Sequence, residues 1–447
     1  MTDRPTPRSI ALFWLPLAAT WLMMGVEGPY LAAVIARLPD AKFNLAAHGV
    51  SYAFALLAEA PVIMLMSAAT ALVSDAESFR KLRSFARALG VGATGLLLVV
   101  LIPQVHRFLL QDLVRLPAEV ADLTYGALWL FLPWPAAIGY RRFLQGVLIR
   151  SGRTRLVAYG TVVRVAGMSV AALVGFNLLD IPGAWVGAMS LSVGVTAEAL
   201  AARWMAADTV RRILDAPAGS EAVPGASKEG EDRLTYRSIA AFYYPLALTS
   251  LIGLTVQPML TFFMGRSASP VESLAVFPVV QSLSFVFRTV GLSFQDAAIA
   301  LMGDKHRHLP ELRRFATGLG LAAAGGMSLV AFTPLSTFWF ETLSGLTPEL
   351  AAFAVFPARA VAFLPGLTVL LTLQRAILVN VRRTHAITVA TALEVGFIGV
   401  AFAVLGWGFD LVGVSAAFAS FVVGRVVANA YLAVRCRQVT RETAARG

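Results

Sequence analysis

Phe13-Trp14-Leu15-Pro16-Leu17-Ala18 returns 229 positions later as Phe242-Tyr243-Tyr244-Pro245-Leu246-Ala247. Pro29 returns as Pro258 at the same offset, and Ala71-Leu72-Val73-Ser74-Asp75 is echoed by Ala300-Leu301-Met302-Gly303-Asp304. One position later in register, Phe85-Ala86 matches Phe315-Ala316, and Asp180 with Gly183 matches Asp410 with Gly413. The chain is thus a duplication. With 57% hydrophobic and 14% charged residues and a mean hydropathy of +0.72, neither copy has the polar surface that a water-soluble domain needs. The expected fold is an all-α polytopic membrane protein. Two similar lobes that rock about a midplane site are the plan of alternating-access carriers, so the repeat points toward transport.

Crossing a bilayer takes about 20 apolar residues. Such stretches fall near 10–36, 44–73, 88–103, 121–149, 156–178 and 183–210, then near 238–265, 273–302, 315–340, 350–380, 385–407 and 411–434. The expectation is twelve transmembrane helices in two six-helix lobes, 1–213 and 237–437, joined by a linker at 214–236 and followed by a tail at 438–447. The segment from Asp215 to Arg233 is rich in Ala, Gly, Ser, Pro and charge with no apolar period, as a flexible linker is. The first span carries Glu27 and lacks a small-residue cleavage site, so it is read as retained.

Lys and Arg concentrate in alternate loops. Around 4–8, 80–87, 141–155, 211–237, 305–314, 382–383 and 435–446 there are twenty-six; the opposite loops hold five, Arg37, Lys42, Arg107, Arg115 and Arg266. Cytoplasmic loops carry the excess, which places both termini in the cytoplasm of a chain expected in the inner membrane. The net charge of +11 is then explained by topology and by anionic lipid headgroups, with no nucleic-acid partner. An even number of spans per lobe gives both lobes one orientation, related by an axis along the membrane normal.

Ionisable side chains at bilayer depth are costly unless they face a partner or a cavity, so each is a functional candidate. In the first lobe they are Glu27, Glu59, Arg164 and Glu198; in the second, Arg288, Asp296, Arg359, Arg375, Glu394 and Arg425. The repeat sets Glu59 against Arg288 (offset 229) and Arg164 against Glu394 (offset 230), an acid in one lobe opposite a base in the other. Facing a central cleft, such pairs would act as gates or coupling elements. Satisfied within their own lobes, they would be packing glue. For Glu198 a local pair with Arg203 is expected. Glu27 lies between Gly25 and Gly28-Pro29, where a proline-induced bend would free carbonyls beside an acid. Its repeat counterpart region holds Gln257-Pro258, polar and uncharged. Pro133, Pro135 and Gly139, with Pro357, Pro365 and Gly366, mark kinks in spans 4 and 10.

No phosphate-binding glycine loop ending in Lys-Ser/Thr is present, and the five histidines show no metal-ligand spacing. The single cysteine, Cys436, excludes an intramolecular disulfide and any multi-cysteine metal site. The chain is expected not to be an enzyme, to hold no metal and to need no cofactor. Its energy would come from H+, Na+ or the substrate's own gradient.

Phe242-Tyr243-Tyr244-Pro245-Leu246-Ala247-Leu248, continuing to Pro258, Phe262 and Gly265-Arg266, resembles the corresponding helix of the progressive ankylosis protein family. Pro357-X-Arg359, Phe363, Pro365 and the ending Arg382-Arg383-Thr384 are similar to that family as well. The family is related to the multidrug and toxin extruders and the lipid-linked oligosaccharide flippases. The resemblance implies a MATE-like fold and export of small organic or phosphate-bearing anions such as citrate, pyrophosphate or nucleotides. Six arginines at membrane depth agree with it, since guanidinium suits carboxylate and phosphate. The expected substrate-binding set in a central cavity is Arg288, Arg359, Gln257, Gln281 and Arg164, with Glu27, Glu59 and Glu394 as ion-coupling or gating groups. Membrane lipids are the other partner, and a monomer is expected. A proton- or sodium-coupled multidrug cation antiporter and a lipid-linked headgroup flippase are the alternatives.

Overall fold

The computed structural model describes residues 5–215, 234–303, 306–381 and 383–445. The regular elements of the first half are α1 (Pro7–Ala36), α2 (Ala41–Glu59), α3 (Leu65–Leu72), α4 (Ala76–Val100), α5 (Pro103–Arg107), α6 (Ala118–Leu130), α7 (Trp134–Arg150), α8 (Thr154–Asn177) and α9 (Gly183–Asp215). Those of the second half are α10 (Tyr236–Leu254), α11 (Val256–Gly265), α12 (Pro270–Leu301), α13 (Leu309–Phe332), α14 (Leu335–Thr337), α15 (Pro348–Ala360), α16 (Leu364–Asn380), α17 (His385–Phe402) and α18 (Gly413–Ala445).

The duplication reaches into the caps and irregularities of the backbone. Thr6 accepts from the Ser9 backbone N–H at 3.2 Å, and Thr235 from that of Ser238 at 3.1 Å, so both copies start with the same N-cap. Spans 4 and 10 break at offset 230, between Leu130 and Trp134 and between Ala360 and Leu364, each beside a proline that withholds an N–H. π-helical turns occupy Phe108–Leu113 and Phe338–Leu343, again 230 apart. Left-handed residues follow them at Arg115 (φ 65°) and Gly345 (φ 74°), and Asp40 and Ser269 share φ 51°. Arg37 holds the second π turn in place, donating from Nη2 to the carbonyls of Thr342 and Leu343 at 2.6 and 3.0 Å.

Ten helices among the described residues are long and apolar enough to cross a membrane. The two remaining expected spans, 44–73 and 121–149, are each split, the first by residues 60–64 after Glu59 and the second by residues 131–133. Two expectations change. α1 runs without interruption through Gly25, Gly28 and Pro29. Its glycines serve close packing, because a Cβ on Gly25 would meet Thr289 Cγ2 at 2.7 Å and one on Gly28 would meet Ser282 Cβ at 3.0 Å, both on α12. The expected tail at 438–447 continues α18 as far as Ala445. The expected linker lies mostly outside the described residues.

The chain packs as two compact units, residues 1–49 with 259–447, and residues 50–258. These differ from the sequence halves because the first span of each half packs with the other half's helices. Trp14 of α1 donates from Nε1 to Ser293 Oγ at 2.9 Å and sets its ring edge against Phe315 at 6.0 Å. Tyr243 of α10 donates to the Pro61 carbonyl at 2.5 Å and sets its ring edge against Phe85 at 5.4 Å. Ile10 of α1 accordingly lies in the larger unit's core with Phe294, Val369, Ala390 and Leu432.

Within the larger unit, α2 and α12 meet at repeat-equivalent residues. Lys42 Nζ lies 2.6 Å from Glu272 Oε1, at an offset of 230. A Cβ on Gly49 would sit 3.5 Å from Pro278 Cγ, at an offset of 229. These contacts join repeat-equivalent residues of the two sequence halves inside one unit. Lys42→Cys with Glu272→Cys should therefore be joined by a short bismaleimide, only buried Cys436 competing. With a protease site inserted at 216–233, the cleaved halves should then stay together on a denaturing gel; separation would place these ends apart.

Candidate functional site

Burying a charge is tolerated where a partner is close, and each unit clusters arginines around buried acids, with Glu27 on α1 a further buried acid of the larger unit. In residues 50–258 the acids are Glu59 and Glu198. Glu59 ends α2 just before Pro61, and it accepts from Nε1 of Trp134, the first residue of α7, at 2.6 Å. Glu198 on α9 pairs with Arg141 Nη1 and accepts from Gln145 Nε2 at 3.0 Å. Arg141 and Gln145 are one helical turn apart, so both aim from one face of α7 at the same carboxylate. Arg142 Nη1 reaches Met66 Sδ on α3 at 3.8 Å. Arg164 on α8 completes the group within electrostatic range of Glu59 and Arg141. Three guanidiniums face two carboxylates, an excess of one positive charge.

In the larger unit, Glu394 on α17 is held by Arg425 of α18, whose Nε and Nη2 both lie 2.7 Å from Oε1. Arg425 Nη1 also donates to Thr368 Oγ1 on α16 at 3.0 Å. Arg375 donates to Thr391 Oγ1 at 3.2 Å. Arg288 on α12 lies within electrostatic range of Glu394 and Arg425. Three guanidiniums face one carboxylate here, an excess of two.

α12 shows two polar faces. One, with Ser282, Thr289 and Ser293, meets α1. The other carries Gln281, Ser284 and Arg288 at spacings of three and four, which places them in line along the helix. Gln281 Oε1, Ser284 Oγ and Arg288 Nε are all buried without a hydrogen-bond partner among the described residues. Buried polar atoms are nearly always satisfied by protein, water or ligand. Gln281, Ser284 and Arg288 thus form one polar line along α12.

Several expectations are corrected. Glu59 and Glu394 each find a hydrogen-bond partner inside their own unit, so neither waits on its reversed-charge counterpart for satisfaction. Glu198 pairs with Arg141, and Arg203 is exposed. Arg141 and Arg142, counted above as loop residues, lie inside α7, where Arg141 is 4% exposed. Arg359 is exposed on α15, donating from Nε to the Ala331 carbonyl at 3.2 Å with its guanidinium 5.7 Å over the Phe332 ring. α13 ends at Phe332, so that carbonyl has no helical partner and the guanidinium caps it. Gln257 is half-buried on α11, and Glu27 is buried on α1. Two signals were overlooked: the turn-spaced Arg141 and Gln145 in apolar surroundings, and the 230 offset, which applied to Lys42 leads to Glu272.

No protein-family model matches the sequence, and no curated protein does. Solved structures match over nearly the whole chain. An inward-facing multidrug resistance MATE family transporter of the MOP superfamily aligns at 14% identity and a TM-score of 0.65, covering 97% of this chain and 95% of its own. The lipid II flippase MurJ, in an inward closed conformation, aligns at 11% identity and a TM-score of 0.68, covering 96% and 90%. A MOP superfamily transporter from Pyrococcus furiosus, described as having a binding pocket of reverse polarity that suggests a different function, aligns at 14% identity and a TM-score of 0.61, covering 98% and 97%. The fold is therefore MATE-like and all-helical.

Removing one partner of a buried ion pair leaves a bare charge and costs about 3–5 kcal/mol, whereas replacing both by apolar residues is close to neutral. Arg141→Ala should thus lower the thermal unfolding midpoint in detergent sharply, and Arg141→Met with Glu198→Leu should recover most of it. Equal loss in both variants would show that the pair does not act as a unit.

Proposed function

We propose that the chain is an alternating-access secondary transporter exporting small organic or phosphate-bearing anions, the citrate, pyrophosphate or nucleotide-like class to which the progressive ankylosis resemblance points. The observation that carries this reading is the line of Gln281, Ser284 and Arg288 on α12, with Arg288 in electrostatic range of Arg425 and Glu394. Arg288 offers N–H groups in the geometry that carboxylate and phosphate accept. Ser284 can donate a further hydrogen bond, and Gln281 Oε1 can accept one from a substrate hydroxyl. A cationic drug would be repelled by the same set. A phosphate-bearing lipid headgroup is the second reading, supported by the likeness to the flippase and by the same basic residues.

Among the three acids of these clusters, Glu198 and Glu394 hold arginines, while Glu59 is hydrogen-bonded by the neutral indole of Trp134. Protonating Glu59 breaks no ion pair, which suits it to H+ coupling; buried Glu27 is the other candidate. The chain acts in the inner membrane as a monomer with its basic loops and both termini in the cytoplasm, as the loop charges support.

Purified protein in liposomes should release citrate or nucleotide saturably, and Arg288→Gln should abolish that flux while Arg359→Gln leaves it near the parent rate. Organic-cation efflux without anion flux would sink the reading. Separately, Glu59→Gln should remove the response of transport to an imposed pH gradient; an unchanged response would move coupling away from this residue.

A further inference from the structure

At the ends of α16, α17 and α18 the larger unit holds a cleft of about 620 Å³. Its rim is cationic and polar, with Arg383, His385, Arg435 and Gln438, while Leu378 and Val389 form apolar wall. Arg435 is braced there: its Nε donates to Tyr431 Oη and its Nη1 to Gln438 Oε1, both at 3.2 Å, with the guanidinium 5.3 Å over the Tyr431 ring. That bracing fixes the direction of the remaining N–H groups, which is what a phosphate oxygen needs.

The duplication provides an internal comparison. Arg383-Thr384-His385 corresponds to Arg153-Thr154-Arg155 at offset 230, so the loop is basic in both halves, as topology alone demands. The opposing wall is not shared: Tyr431, Arg435 and Gln438 correspond to Ala201, Met205 and Asp208. The second half has therefore acquired a phosphate-directed wall where the first carries an apolar and an acidic one. A soluble anion has no use for the apolar lining, whereas a lipid presents glycerol and acyl carbons directly beneath its phosphate. Basic pockets between helices at the membrane edge hold anionic headgroups in this way.

We propose that this cleft binds the phosphate of an anionic phospholipid. Full-length protein in neutral phosphatidylcholine micelles is titrated with short-chain phosphatidylglycerol, and in a parallel arm with inorganic phosphate, while the thermal midpoint and lipid retention by native mass spectrometry are followed. Phosphatidylglycerol should raise the midpoint and stay bound. Arg435→Met, which copies the first half's Met205, should weaken retention about tenfold, the worth of one charge-assisted hydrogen bond. Gln438→Asp should weaken it as well, with both midpoints in neutral micelles unchanged. The Met205→Leu variant should retain lipid as the parent does. Equal stabilisation by inorganic phosphate would overturn the lipid assignment, and undiminished retention in Arg435→Met would overturn the site. Neither readout depends on transport.

Discussion

Trp14 edge-on to Phe315 and Tyr243 edge-on to Phe85 are one interaction made twice with the two halves exchanged. Each ring also donates a hydrogen bond into the half that receives it, to Ser293 and to the Pro61 carbonyl. An edge-to-face pair contributes about 0.5–1.5 kcal/mol beyond its burial, and a hydrogen bond a similar net amount. Both together tie α1 to the helices after α11, and α10 to the helices before α9. The architecture rests on this exchange: neither unit is a continuous half of the chain, and the chain passes between them inside α2, after Gly49, and inside α11, after Pro258.

The membrane sets the second constraint. Each acid in the two charge clusters is hydrogen-bonded within its own unit, which lowers the cost of burying it. What packing does not settle is the arginine excess, one charge in residues 50–258 and two in the larger unit. Those arginines are what the proposed anionic cargo rests on.

The sequence revealed much of the fold because a duplication leaves paired marks: the aromatic-Pro-Leu-Ala motif, Pro135 and Pro365 at the two breaks, and the apolar spans all repeat. It concealed the exchange of α1 and α10, because hydropathy records which segments are buried and carries no sign of their neighbours. The split of span 2 was hidden for a similar reason, Pro61 standing in an apolar run with nothing to distinguish a break from a kink. Of the site, Arg288, Gln281, Glu59 and Glu394 were legible as polar residues in apolar stretches. Arg141 was missed because an adjacent Arg142 and nearby Arg150 made it look like loop. Arg359 was chosen on a motif match, which does not show which way a side chain turns; it is exposed on α15.

The break after Glu59 has no counterpart in the second half, where α12 runs unbroken through Arg288. A carboxylate at a helix break sits where backbone geometry can change at small cost, and a proton arriving or leaving there can be felt by the two short helices it joins. A guanidinium in the middle of a 32-residue helix sits where little can move, which suits a group that must present fixed donors to a ligand. The same repeat position is thus a carboxylate at a helix break in one copy and a guanidinium inside a continuous helix in the other. The roles proposed for the two residues rest on that difference in local backbone, at residues 60–64, more than on the charge reversal itself.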